Sequence, residues 1–181
     1  MNDDKFILEE KNIILEWDKG LKAEAYAFPL KNKITLTKAL KKILNEKEFS
    51  SILIHERGHF ELYNFLLPFV PVLLIFCLLL YAFLSGPKSY STRVILNCLF
   101  ILFFILLILS LWLKEILADI FAVKRTEIGI FKRALIKVHK YNNKFYSKFD
   151  KFLKVITHPL LSIRLVVINN YENSIFRDRI K

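Results

Sequence analysis

The sequence predicts a mainly helical, integral-membrane chain. Its parts are a two-span antiparallel transmembrane hairpin, a helical domain on one side of the bilayer and a small antiparallel β-sheet ahead of the spans. Three observations carry this. Residues 65–84 and 94–113 hold no charged side chain, and each matches the roughly 20 apolar residues needed to cross a bilayer. The connection at 85–93, SGPKSYSTR, is short, polar and turn-rich. Two polar motifs flank the spans: His55-Glu56-Arg57-Gly58-His59 before them and Glu115-Ile116-Leu117-Ala118-Asp119 after them. A soluble chain of 181 residues has too little polar sequence left to cover two such apolar segments.

Taken in order, the chain opens on a small sheet. Ile13–Trp17, Leu21–Phe28 and Lys33–Thr37 are short runs of β-formers. Asp18-Lys19-Gly20 and Pro29-Leu30-Lys31-Asn32 supply the turns between them. Lys33–Thr37 alternates polar and apolar residues, as a half-buried strand does. At a sheet edge its free backbone groups at Ile34, Thr35 and Leu36 would pair with an extended substrate; an ordinary surface strand has the same pattern. Asn45 with Glu48 forms a capping-box pattern that starts the next helix, expected over 46–64. Beyond the second span, 114–181 reads as helical, basic and aromatic, with Phe145, Phe149, Phe152 and Leu153 at helical spacing, as core or lipid-interface contacts. One membrane-embedded domain over 1–181 is expected, divided into sheet and helix (1–45), motif helix (46–64), spans (65–84, 94–113) and C-terminal part (114–181).

The first motif is H-E-x-x-H. Residues four apart share a face of a helix, so His55 and His59 can offer two imidazoles to one metal ion. Glu56 is placed to take a proton from a water activated there. Glu115 supplies a third ligand, and Asp119, one turn on, a carboxylate that orients a ligand. Three ligands with one open position is the layout of a catalytic zinc, one ion per chain. An even number of crossings returns Glu115 to the side that holds His55 and His59.

Charge sets the expected orientation. The loop between the spans holds Lys88 and Arg93 alone among charged residues, while 11 Lys and Arg precede the first span and 15 follow the second. By the positive-inside rule both termini and the metal site face the cytoplasm of a two-span cell-membrane protein. The net charge of +11 suits a face drawn to anionic lipid; no nucleic-acid motif accompanies it. The opening Met1-Asn2-Asp3-Asp4 has no basic or apolar leader, so the first span is expected to act as an uncleaved insertion signal. Cys77 and Cys98 both fall inside spans and read as small hydrophobes, with no disulfide framework.

The ordered set of motifs resembles the HtpX and CAAX-prenyl-protease group of integral-membrane zinc metallopeptidases. Glu24-Ala25-Tyr26-Ala27 and the strand after it resemble the group's Asn-Ala-Phe-Ala segment and edge strand. Glu46–His59 resembles its acidic lead into the zinc helix, Glu115–Asp119 with Ala122 its E-x-x-A-D-x-x-A segment, and Thr157-His158-Pro159 with Arg164 its T-H-P-x-x-x-x-R segment. The resemblance implies a zincin-like domain in which His55, His59 and Glu115 bind zinc, Glu56 is the base, Asp119 orients a ligand histidine and His158 lies near the substrate oxyanion. Arg164 would bind a carboxylate in the site or hold it together. It implies hydrolysis of membrane or membrane-proximal polypeptides, with HtpX-like quality control as the leading role. A dedicated regulatory or prenyl-protein protease, and a non-catalytic zinc-stabilised sensor, stay open. The expected partners are a polypeptide substrate and the lipid bilayer, with a homo-oligomer compatible with the sequence. Two departures bear on substrate choice: Glu24 stands where the group has asparagine, and Arg57 where an aliphatic residue is common.

Overall fold

The computed structural model describes residues 6–8, 13–61, 70–86 and 89–178. Four strands, β1 (Phe6–Leu8), β2 (Ile13–Asp18), β3 (Ala25–Phe28) and β4 (Lys33–Thr37), form one sheet in the order β1-β2-β4-β3. Seven helices follow among the described residues: α1 (Lys38–Ile43), α2 (Glu46–Gly58), α3 (Val70–Ser85), α4 (Tyr90–Val123), α5 (Ile128–Asn142), α6 (Lys148–Thr157) and α7 (Leu161–Asp178). β2, β3, β4 and the helices follow the sequence expectation, with shorter bounds in places, and β1 is a strand the sequence reading did not include. Residues 21–24 are not strand, and the motif helix ends at Gly58 rather than 64.

The sheet corrects two expectations. It is mixed, not antiparallel: β2 and β4 run parallel, with Leu15 opposite Ile34 and Trp17 opposite Leu36. The cause is the tight connection from β3 to β4. Asn32 takes a left-handed conformation (φ 45°) there, which asparagine tolerates better than most residues. β4 therefore folds back against β3 and slots between it and β2, which fixes its direction. As a result Lys33–Thr37 is a central strand. Ile34, Thr35 and Leu36 already pair on both sides, and the side chains of Ile34 and Leu36 are fully buried. They have no free edge to offer a substrate. On this side of the sheet the free edge belongs to β3.

α2 starts on the capping box that the sequence predicts. Glu48 N–H donates to Asn45 Oδ1 (2.9 Å) and Asn45 N–H donates to Glu48 Oε2 (3.1 Å). Glu48 is buried, which alone would raise its pKa. The Lys137 ammonium (2.7 Å) and the Asn45 amide reverse that and hold it below the usual carboxylate value. The helix then packs on α4 at Gly58. A Cβ there would lie 3.1 Å from both Ala118 Cα and Phe121 Cβ, so the missing side chain is what admits the close approach. This contact sets His55 and His59 against Glu115.

α4 is one 34-residue helix, roughly 50 Å long, against a bilayer core of about 30 Å. The expected second span, 94–113, is its first part. Only 6% of its most apolar stretch is buried within the molecule, so this is no soluble core helix. α3 packs antiparallel against it, with Phe76 and Phe103 ring centroids 6.1 Å apart; residues 65–69 of the expected first span lie outside the described residues. Lys148–Ile175 also reaches the length and apolarity of a span. It is, however, two helices separated at His158–Leu160, and its Arg164 pairs with the buried Asp119.

Candidate metal centre and cleft

α2 carries His55 and Glu56 in its last turn and ends on His59 as its C-cap, α4 carries Glu115 and Asp119, and the α6–α7 junction carries His158 with Arg164 one turn into α7. The fold brings these seven residues together across three separate stretches of chain. His55 Nε2 lies 3.7 Å from Glu115 Oε2, and His59 Nε2 lies 3.6 Å from Glu115 Oε1. Ligand atoms held at roughly 2.0–2.1 Å by a tetrahedral ion sit roughly 3.3 Å apart. The three residues thus surround one point with the spacing a metal ion needs, and all three are buried. The imidazole rings stand nearly perpendicular, 5.0 Å apart, and His55 also stacks on the buried Phe131 of α5 at 5.9 Å.

The ligands are held from behind. His55 Nδ1 lies 2.9 Å from Asp119 Oδ1, leaving Nε2 to face Glu115. Arg164 grips the same carboxylate with two bonds, Nε to Oδ2 (2.7 Å) and Nη2 to Oδ1 (2.5 Å). A planar guanidinium in this bidentate geometry fixes the carboxylate's rotation. Of the two roles open for Arg164, holding the site together is the one its contacts serve.

Electrostatics follow from burial and these neighbours. Burial disfavours a charge on His55, but Asp119 and Glu115 outweigh it and lift the pKa to about 9. Burial, and then His55 alongside, push His59 down to about 3. Burial raises Glu56 to about 7, partly opposed by His55.

An open cleft of about 270 Å³ runs past this cluster, lined on one side by Glu24, Ala25 and Tyr26 at the start of β3 and on the other by Lys154, Thr157 and His158. His158 Nε2 is 3.8 Å from Glu115 Oε1, and Thr157 Oγ1 bonds its Nδ1 at 2.9 Å. Asn142 secures the approach to β3 by bracketing Ala23, accepting from its N–H (2.7 Å) and donating to its carbonyl (2.8 Å). Glu24 accepts from Tyr26 and from Tyr146 (3.0 Å), and Lys154 donates to Tyr146 (2.9 Å). Sequence reasoning missed Asn142, Tyr146 and Lys154. Their partners lie up to 122 residues away, and no periodicity or motif marks them. The one available signal was Glu24, singled out as a departure from the resembled group.

A pair of helical histidines, a carboxylate from a second helix and a buried glutamate beside a cleft define a metallopeptidase-type centre. The sequence matches peptidase family M48 across residues 8–172, and the chain belongs to that family. Among solved structures it resembles the crystal structure of S. mikatae Ste24p, with a TM-score of 0.51 and 20% sequence identity over 87% of this chain. The chain spans 44% of the length of that protein. At that identity the likeness shows a shared fold. No curated protein matches the sequence.

Proposed function

We propose that the protein is a zinc-dependent endopeptidase that cleaves membrane or membrane-proximal polypeptides. The observation that carries this is Glu56 lining the same cleft as His55 and Glu115, two members of the His55–His59–Glu115 cluster, because a purely structural metal site has no use for a buried base. His55, His59 and Glu115 would hold the zinc, which when bound acidifies water and polarises a carbonyl as a Lewis acid. Glu56 accepts the water's proton as peptide attack begins and passes it to the leaving amine. His158 donates a hydrogen bond where negative charge develops on the carbonyl oxygen. Asp119 and Arg164 keep His55 in its ligating orientation.

The substrate enters as an extended strand along the free edge of β3, which runs beside the cleft. An open cleft suits an unfolded segment, which supports an HtpX-like quality-control role. α3 and α4 form the membrane hairpin, with both ends of the chain and the centre on the cytoplasmic side. A cysteine introduced at Ser89 should react with an impermeant thiol reagent in intact cells and one at Ser174 should not; the reverse pattern overturns the orientation.

The test of the activity is Glu56→Gln. The variant should keep its metal and lose cleavage of an unfolded substrate such as casein by about 100-fold or more. Undiminished cleavage by that variant removes Glu56 from the mechanism.

A further inference from the structure

α6 presents a face that nothing covers among the described residues. Phe149 and Phe152 are 67% and 61% exposed, and Leu153 and Val155 are exposed beside them. Phe149, Phe152 and Leu153 fall on one side of the helix, at spacings of three and four residues. The other side is polar and inward: Lys154 is half-buried there and donates to Tyr146 in the cleft wall. Of the two sequence readings for these aromatics, core or lipid interface, burial excludes the core.

Two further observations say what covers the face. The first is position. Trp112 stands at the end of the apolar part of α4, one residue from the end of the expected span, and its Nε1 donates to the Val155 carbonyl at 2.9 Å. Carbonyls in the last turn of a helix lack a helical partner, so this bond ties the end of α6 to the point where α4 leaves the bilayer. Tryptophan is the residue that marks that level. The second is charge. From Lys140 to Thr157 the chain carries five lysines and one acid, and Lys148 and Lys151 stand exposed along one border of the Phe149–Phe152–Leu153 face. A second copy docked face to face would set these lysines against their equivalents, whereas anionic headgroups would neutralise them.

We propose that α6 lies in the plane of the membrane, with the Phe149–Phe152 face bedded at the acyl boundary and Lys148 and Lys151 on anionic headgroups. Because Lys154, Thr157 and His158 line the cleft from the end of the same helix, the bilayer surface then sets the position of one cleft wall. The inference rests on α3 and α4 being membrane-inserted, and does not depend on catalysis.

Single-cysteine proteins test it. With Cys77 and Cys98 replaced by alanine, cysteines at Phe149, Phe152 and Lys151 are each labelled with an environment-sensitive fluorophore. The labelled proteins are reconstituted in phosphatidylcholine–phosphatidylglycerol vesicles with or without acyl-chain nitroxide lipid. Labels at 149 and 152 should be blue-shifted and quenched by the nitroxide, and the label at 151 should be neither. Native Cys98, exposed on α4 and labelled alone, should be quenched too; if it is not, the hairpin reading fails, and this inference with it. Quenching at Cys98 without quenching at 149 and 152 overturns the inference alone. Blue-shifted but unquenched labels at 149 and 152 mean that protein covers the face, which also overturns it. Equal quenching at 149, 151 and 152 means that α6 enters the bilayer instead of lying on it, and rejects the in-plane geometry.

Discussion

The two ends of α4 obey opposite rules. Along its first part, Ile95, Phe100, Ile101 and Phe104 point outward, each about half exposed. In its last turns, Glu115 and Asp119 are 8% and 1% exposed. Apolar groups are outside and charged groups inside, the inverse of a soluble helix, on one unbroken rod. On the proposed insertion, the first part is explained by its solvent, since side chains facing lipid lose nothing by exposure. The last part is explained by pairing, since a buried carboxylate persists when it is hydrogen-bonded and faces opposite charge. With α4 inserted as proposed, a single rigid helix would fix the height of the His55–His59–Glu115 cluster relative to the membrane: Glu115 lies two residues beyond the apolar run 94–113.

Arg164→Leu removes the bidentate partner and leaves the Asp119 carboxylate buried beside His55. It should destabilise the protein by about 3–5 kcal/mol, the usual range for stranding one member of a buried pair. Chemical unfolding in detergent measures this, and a loss under about 1 kcal/mol would mean that the pair is not what holds the last turns. At the other end, Leu73→Ala on α3 or Ile101→Ala on α4 trims side chains that are about 60% exposed. Each should change stability by no more than about 0.5 kcal/mol. A cost of several kcal/mol there would show protein, not lipid, against that face.

Much of this was legible in the sequence, for identifiable reasons. The His55–His59 pair is encoded within one turn of helix, and Asn45 and Glu48 announce where that helix begins. The apolar runs are visible in composition alone. What stayed hidden depends on pairing between distant segments. Lys33-Ile34-Thr35-Leu36-Thr37 alternates in the same way at the centre of a sheet as at its edge, so its central place between β2 and β3 could not be read from it. The parallel pairing of β2 with β4 skips the strand that lies between them in sequence. Tyr146 reaches Glu24 across most of the chain. The junction between span and site inside α4 is also invisible as a boundary, because the helix does not stop there. The aromatics of α6 carried the right periodicity for two environments, and burial alone separates them.

The central claim is that His55, His59 and Glu115 form one zinc site, and metal stoichiometry tests it most directly. Protein purified in detergent, stripped with a chelator and re-exposed to zinc, should hold about one ion per chain by elemental analysis. His55→Ala, His59→Ala and Glu115→Ala should each lose it, and Glu56→Gln should keep it. A wild-type protein that stays free of zinc after that treatment, or one that binds it equally well without His55 and His59, contradicts the account.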